Sequence, residues 1–239
     1  FPCNIGLGVA GNRGVIMRAK LSIVIPTLNA AEALPLCLSA LGEGLEAGMI
    51  REVVFSDGGS NDNTLEIAEM AGAVVVKGPP SRGGQLRRGV EAAKGEWLLV
   101  LHADSVLPSG WPSAVAAQMQ DGRPAAFRLR FDANGLAPQL VARWANLRSK
   151  LFRLAYGDQG LLISRQDYEA VDGYPDIALM EDVALSRRLG RRLSIRPEAI
   201  TTSAEKYKRD GWLRRGARNL SFLIRYLFGA DPARLAKRY

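Results

Sequence analysis

Cysteine is nearly absent from this chain. Cys3 and Cys37 are the only two, far apart and in unrelated contexts. A disulfide framework and a cysteine-spaced metal site are thereby excluded, and both residues read as free thiols of a reducing compartment. Histidine is scarcer still, with His102 alone. No apolar run approaches the roughly 20 residues that span a bilayer. The expected location is therefore the cytoplasm, resting at most on the inner face of a membrane. Internal repeats and low-complexity linkers are also missing.

What is present suits one folded unit. At 239 residues the chain is long enough for a sizeable α/β domain and short for two with a linker. Apolar residues make up 47% and charged residues 23%, which excludes a disordered chain. The formal charge of +8 points to an anionic partner: nucleic acid, acidic lipid or a phosphorylated metabolite.

Met17 directly precedes Arg18-Ala19-Lys20 and the first clear strand, so residues 1–16 read as an upstream or expression-derived extension. Within them Gly6-Leu7-Gly8-Val9-Ala10-Gly11 matches a dinucleotide-binding glycine pattern. It lacks the preceding strand and following helix that the pattern needs, so no binding is assigned to it.

From Leu21 strands and helices alternate. Leu21–Ile25 is a β-rich run stopped by Pro26, and an Ala/Leu-rich helix follows over about 30–42. Glu52–Phe55 is a second strand, and a cap-rich stretch from Ser60 opens a helix to Ala71. Val74–Val76 is a third strand, 82–94 a helix, and Glu96–Leu101 a strand apolar on both faces and so central. Repeated βα units of this kind imply a mostly parallel sheet covered by helices on both sides. After Pro108 come a helix at 110–120, a strand at 125–131, a helix at 137–155, a strand at 161–163 and a helix ending at Leu189. A basic amphipathic helix over 210–228 and a short one from Asp231-Pro232 close the chain.

Ligands of such sheets sit outside the carboxyl ends of the strands. Three ends are polar: Pro26-Thr27-Leu28-Asn29, Asp57-Gly58-Gly59 and His102-Ala103-Asp104. Residues two apart on a strand share a face, so His102 and Asp104 can both enter one crevice. They read either as ligands for a cation on a pyrophosphate or as a turn before Pro108. Asp57 reads either as an acceptor for base or ribose or as a turn residue. Arg82-Gly83-Gly84 offers a cation and a flexible loop at a helix start, suited to phosphate. Arg87 and Arg88 read as a solvated helix face. Jointly these ends favour a nucleotide site.

Here the sequence resembles a known family. SIVIPTLN, VVFSDGGSNDNT, RGGQLRRGVEAAKGEWLLVLHADS and MEDVALSRRL, in that order, are similar to the successive motifs of family 2 glycosyltransferases, which are inverting enzymes of the Rossmann-like GT-A fold. HADS with YGDQG, PDIALMED and DPARLAKRY resembles, more narrowly, small bacterial transferases found beside radical-SAM and selenium-related genes. The resemblance covers about residues 21–239. It implies a GT-A domain over 17–205, with a nucleotide half at 21–107 and an acceptor half at 108–205, and a helical tail at 206–239. It further implies a hexosyltransferase-like, metal-dependent enzyme. Pro26, Thr27, Asn29 and Asp57 would hold the nucleoside of a sugar nucleotide, with UDP the default base, and Arg82 would lie near phosphate. Asp104 would bind Mn²⁺ or Mg²⁺ at the diphosphate, with His102 in place of the family's first metal-motif Asp. Asp182 matches the catalytic base. Ala30, Arg87 and Gly58 depart from the Glu, Asn and second acidic residue common at those positions.

The implied chemistry is coherent. A cation and Arg82 would stabilise a departing nucleoside diphosphate, and Asp182 would deprotonate an acceptor hydroxyl. One base without a second carboxylate nucleophile predicts single displacement and inversion. Asp158, in the Tyr156–Gly160 turn, reads as a contact to donor sugar or acceptor or as a plain turn. The 210–228 helix reads as a peripheral membrane contact or, preferred, as packing on the core or across a homodimer. Nucleic acid is not the expected partner. Two rivals stand beside the transferase: a sugar nucleotidyltransferase, whose glycine-rich loop after the first strand is missing, and an inactive basic membrane- or nucleic-acid-binding module.

Overall fold

The computed structural model describes residues 19–238. The extension at 1–16, its glycine pattern and Cys3 lie outside the described residues. Seven strands form one sheet: β1 (Leu21–Thr27), β2 (Ile50–Asp57), β3 (Val74–Lys77), β4 (Trp97–Val100), β5 (Ala125–Phe131), β6 (Leu161–Ser164) and β7 (Ser194–Thr202). Their order is β3-β2-β1-β4-β6-β5-β7, so the apolar β4 is central, as its composition predicts. All neighbours are parallel except that β6 runs antiparallel to β4 and β5.

Alternating side chains of the central strands enter opposite layers. Ile23, Ile25, Leu99 and Leu101 pack with Leu34, Cys37, Trp111 and Val115. These come from α1 (Leu34–Ala40) and α5 (Trp111–Asp121) on one face. Val24, Leu98 and Val100 pack with Leu86, Val90 and Leu185. Those belong to α4 (Arg82–Ala92) and α8 (Glu181–Leu189) on the other. Burial on both sides is why these runs are apolar without alternation.

The remaining helices are α2 (Gly42–Glu46), α3 (Thr64–Met70), α6 (Leu136–Phe152), α7 (Arg165–Ala170), α9 (Glu205–Asp210), α10 (Trp212–Leu227) and α11 (Pro232–Ala236). α10 packs inward through Phe222 and Leu223 against Leu154, Met180 and Val183, which stabilises by roughly 1.5–3 kcal/mol per large apolar side chain. Among the described residues no helix is long and apolar enough to cross a membrane.

Several expectations are corrected. The helix placed at 30–42 begins only at Leu34 and breaks after Ala40 into α2. The cap-rich stretch from Ser60 does open a helix, α3, from Thr64, and before it the Ser60 and Asp62 side chains and the Asn61 N–H also latch this loop to the one after β1. Neither α7 nor β7 was expected. β7 is an edge strand, only half buried and interrupted by Pro197, so no apolar run announces it.

Candidate active site

The ends of β1 and β2 are tied by polar bonds. Asn29 adopts a left-handed conformation, φ 50°, which asparagine tolerates. Its N–H donates to Ser60 Oγ at 2.9 Å, and its Oδ1 accepts from Asn61 N at 2.9 Å. Ala30 N donates to Thr64 Oγ1 at 2.8 Å and Ala31 N to Asp62 Oδ2 at 3.1 Å. Asp57 is fully covered, and its carboxylate accepts from Gly59 N, Ser60 N, Ser60 Oγ and Thr27 Oγ1. Burial pushes its pKa up, but the bonds from Ser60, Gly59 and Thr27 together hold it below the usual carboxylate range. In this arrangement Asp57 braces the loop and does not open onto the crevice. Gln85 reaches up from α4 to donate to Thr27 O at 2.7 Å and Ser56 O at 3.1 Å. A Cβ on Gly58 would lie 3.0 Å from its amide, which explains why no acidic side chain stands there.

The Arg82-Gly83-Gly84 stretch is not the flexible loop that its glycines suggest. It forms the first turn of α4, capped by Ser81 Oγ accepting from Gly84 N. The glycines permit close approach: a Cβ on Gly83 would meet Pro175 O at 2.1 Å. That approach seats α4 against the segment leading into Glu181, and Arg82 Nε lies 3.1 Å from Glu181 Oε1. Glu181 is buried, which raises its pKa; the Asp182 charge adds to the rise and Arg82 opposes it. Arg87 is exposed, and Arg88 donates to Pro79 O at 2.9 Å.

Arg82 also contacts His102, Nη2 to Nε2. Guanidinium can only donate, so Nε2 is the acceptor in this contact. Nδ1 faces Asp104 Oδ1 at 3.4 Å. Burial raises the Asp104 pKa, but His102, Lys206 and Thr202 outweigh it and bring it to about 2.

Asp182 lies at the start of α8, set there by Met180 in a left-handed conformation, φ 68°. Its Oδ2 accepts from Gly157 N at 2.7 Å and its Oδ1 from Val183 N at 2.7 Å. A Cβ on Gly157 would lie 3.5 Å from His102 Nε2 and 3.6 Å from Asp182 Oδ2, so the two side chains flank this glycine. The turn Gly157–Gln159 is pinned from beneath. Buried Gln159 accepts from Ser149 Oγ at 2.6 Å and Arg148 Nη2 at 3.3 Å, and Arg148 lies 3.4 Å above the Tyr156 ring centroid. Burial raises the pKa of Asp158, opposed by His102 and Arg148 and reinforced by Asp182 and Asp104.

These residues wall one crevice with two lobes. The larger, about 600 Å³, is lined by Pro26, Thr27 and Asn29 on one side and Thr202, Ser203 and Lys206 on the other. Its size suits a drug-sized ligand. The smaller, about 110 Å³, holds Tyr156, Asp158, Asp182 and Tyr207. Arg82, His102 and Asp104 form the shared ridge. Of the site residues named from sequence, only Asp57 stays off the surface of both lobes. Glu181, Lys206, Thr202 and Gln85 were missed. Thr202 and Lys206 depend on β7, which carried no sequence signal. Glu181 was legible as the neighbour of Asp182.

Among the described residues no group of three or more His, Cys, Asp and Glu is placed to hold a metal. A cation here would need oxygens from a ligand, as diphosphates supply. Asp104 fits that use, since its Oδ1 is buried and meets His102 Nδ1 only at the long distance of 3.4 Å. His102, as oriented, does not: one nitrogen meets Arg82 and the other faces Asp104.

The chain matches the Glycosyl transferase family 2 model over residues 22–185, and it belongs to that family. It is 39% identical over 93 residues to a PGL/p-HBAD biosynthesis glycosyltransferase of Mycobacterium tuberculosis, a match covering 36% of each chain. A second glycosyltransferase of that species is 32% identical over 124 residues, covering 52% of this chain and 54% of its own length. The matches thus span about a third to a half of these relatives. Among solved structures the fold is similar to Staphylococcus aureus TarS, at TM-score 0.61 and 17% identity, over 90% of this chain and 41% of that one. It is equally similar to the mannosyltransferase PcManGT of Pyrobaculum calidifontis, in complex with GDP-Man and Mn²⁺ (TM-score 0.61, 18% identity, 91% of this chain and 67% of that one). The architecture is GT-A.

Proposed function

We propose that the chain transfers a sugar from a nucleoside-diphosphate sugar to an acceptor hydroxyl, with inversion at the anomeric carbon. The observation that carries this reading is the two-lobed crevice, with Asp104 on its ridge and Asp182 in its smaller lobe. The larger lobe takes the nucleoside against Pro26, Thr27 and Asn29, and the smaller one takes the reacting sugar and acceptor beside Asp158. Mn²⁺ or Mg²⁺ held through Asp104 would neutralise charge on the diphosphate. Arg82 swings from Glu181 or His102 to a phosphate oxygen. The acceptor oxygen attacks the anomeric carbon as its proton passes to Asp182, and the bond from that carbon to the diphosphate oxygen breaks. Two backbone N–H groups fix the Asp182 carboxylate for this single displacement. UDP remains the default base; relatives of the fold are complexed with UDP-GlcNAc and with GDP-Man.

Thermal unfolding with UDP, GDP, CDP and dTDP, each with and without Mn²⁺, tests the proposal in the parent and in Asp104→Ala. Ligand at about 100 times its Kd stabilises by about 2.7 kcal/mol. The expected result is a Mn²⁺-dependent shift with one diphosphate, lost in Asp104→Ala. No shift with any of the four overturns the reading.

A further inference from the structure

Packing of α10 accounts for one of its apolar stripes and leaves another in solvent. Leu213, Ile224, Leu227 and Phe228 are exposed, the last 89% so. α6 carries a matching exposed stripe of Leu136, Leu140, Trp144, Leu147 and Leu151, spaced three and four apart along one helix face. The two helices adjoin. A Cβ on Gly216 of α10 would lie 3.9 Å from Val141 of α6, and Trp144 and Leu220 line the narrow cleft between the helices.

Charge is concentrated on the same elements. Residues 136–153 and 206–238 hold fourteen Lys and Arg against two Asp, which leaves eighteen basic against twenty-two acidic residues over the rest of the chain. Arg148 and Arg215 are buried and Lys206 lines the crevice, whereas Arg143, Lys150 and Arg225 are exposed on the helices that carry the stripes. A large exposed apolar surface bordered by cations has the composition of an interfacial amphipathic helix.

We propose that the joint face of α6 and α10 docks on an anionic lipid bilayer, lying on it rather than crossing it. A second copy of the chain suits the surface less well, because a two-fold contact would set basic border against basic border. Anionic headgroups neutralise that border while the leucines, Trp144 and Phe228 enter the acyl boundary. The inner wall of the cleft, Tyr156, Asp158, Tyr207 and Asn219, also walls the smaller lobe of the crevice, so the docked face adjoins the candidate site. The docking does not depend on the sugar-transfer reading, since binding is read without donor or acceptor.

Flotation of the full chain with phosphatidylcholine vesicles, with and without roughly one-third phosphatidylglycerol, tests the proposal. Expected is binding to the anionic vesicles at least ~10-fold tighter than to the neutral ones, weakening with salt. Leu147→Glu with Phe228→Glu, both at exposed positions, should weaken it at least ~10-fold with an unchanged melting temperature. Arg143→Gln, Lys150→Gln and Arg225→Gln should each weaken it roughly fivefold. No binding to either vesicle, equal binding to both, or binding indifferent to the Leu147 and Phe228 changes overturns the proposal. A concentration-dependent dimer abolished by that double variant, without vesicle binding, would reassign the face to a second copy.

Discussion

The backbone N–H of Gly157 donates to Oδ2 of Asp182 across 25 residues of chain, at 2.7 Å. This bond links the 157–159 turn to the start of α8 and fixes the direction in which the carboxylate faces the smaller lobe. Asp182→Asn keeps the shape but cannot accept a proton at neutral pH. The expected outcome is a fall in kcat of about 10²–10⁴-fold with little change in donor KM, measured by nucleoside diphosphate release once an acceptor is in hand. A variant with parental kcat would remove Asp182 from the base role.

Asp104 makes a prediction in acid. Its folded pKa is brought to about 2, below the ordinary 3.8, so the ionised form favours the fold. That contribution, about 2 kcal/mol in full, is complete above about pH 4 and is largely lost as pH falls to 2. Urea unfolding at several pH values should show the parent losing this increment between pH 4 and 2 relative to Asp104→Asn. Parallel stability curves for the two proteins would contradict it.

Gly83 carries a packing prediction. Its Cβ would meet three backbone atoms, Pro175 O at 2.1 Å, Ile177 N at 2.7 Å and Ile177 O at 2.9 Å, which cannot move aside as a side-chain tip would. Gly83→Ala should cost about 1–3 kcal/mol and lower Tm by roughly 2–12 °C. Gly42→Ala is the control, because its Cβ would meet nothing within 4 Å. Calorimetry of the two variants distinguishes a contact effect from a general glycine effect.

Cys37 should be silent as a thiol. It is buried, and burial followed by the nearby Asp104 charge pushes its pKa up to about 12. In a Cys3→Ser protein, DTNB at pH 8 should label nothing until denaturant is added. Rapid labelling of the folded protein would show that the α1 layer opens.

The parallel half of the fold was legible because it obeys one rule. Strands such as Leu21–Ile25 and Trp97–Leu101 are covered on both faces, so every residue but Ser22 is apolar and the polar strand ends stand out. The other half lacks that contrast. β7 mixes Ser194, Arg196, Pro197 and Glu198 because it is a half-covered edge, and with it Thr202 and Lys206 escaped notice. Asp57 was visible as a strand-end carboxylate, but its partners are Thr27 at the end of β1 and Ser60 in the loop after β2, and only the folded register shows that they satisfy it. The glycines of Arg82-Gly83-Gly84 signalled close approach, yet a single sequence does not tell approach to a phosphate from approach to Pro175.

Gln159 shows how much of the site rests on a residue that never touches the crevice. It is fully buried, its Oε1 accepts from Ser149 Oγ, Arg148 Nη2 and Tyr156 N, and its Nε2 donates to Phe127 O at 3.0 Å. Gln159→Leu fills similar space but strips partners from a hydroxyl, an amide N–H, a carbonyl and a buried guanidinium. Leaving such groups unsatisfied costs about 1–3 kcal/mol each before relaxation, and more where a charge is involved. Water cannot readily replace the amide, because the site is closed beneath the 157–159 turn. A loss of about 3–5 kcal/mol is expected, read as a lower urea midpoint with an unchanged m-value. Because Gly157 belongs to the same turn, kcat should fall as well while donor-induced stabilisation survives, since the nucleoside lobe is built from β1. Loss of donor binding together with kcat would instead mean that the turn supports the whole crevice.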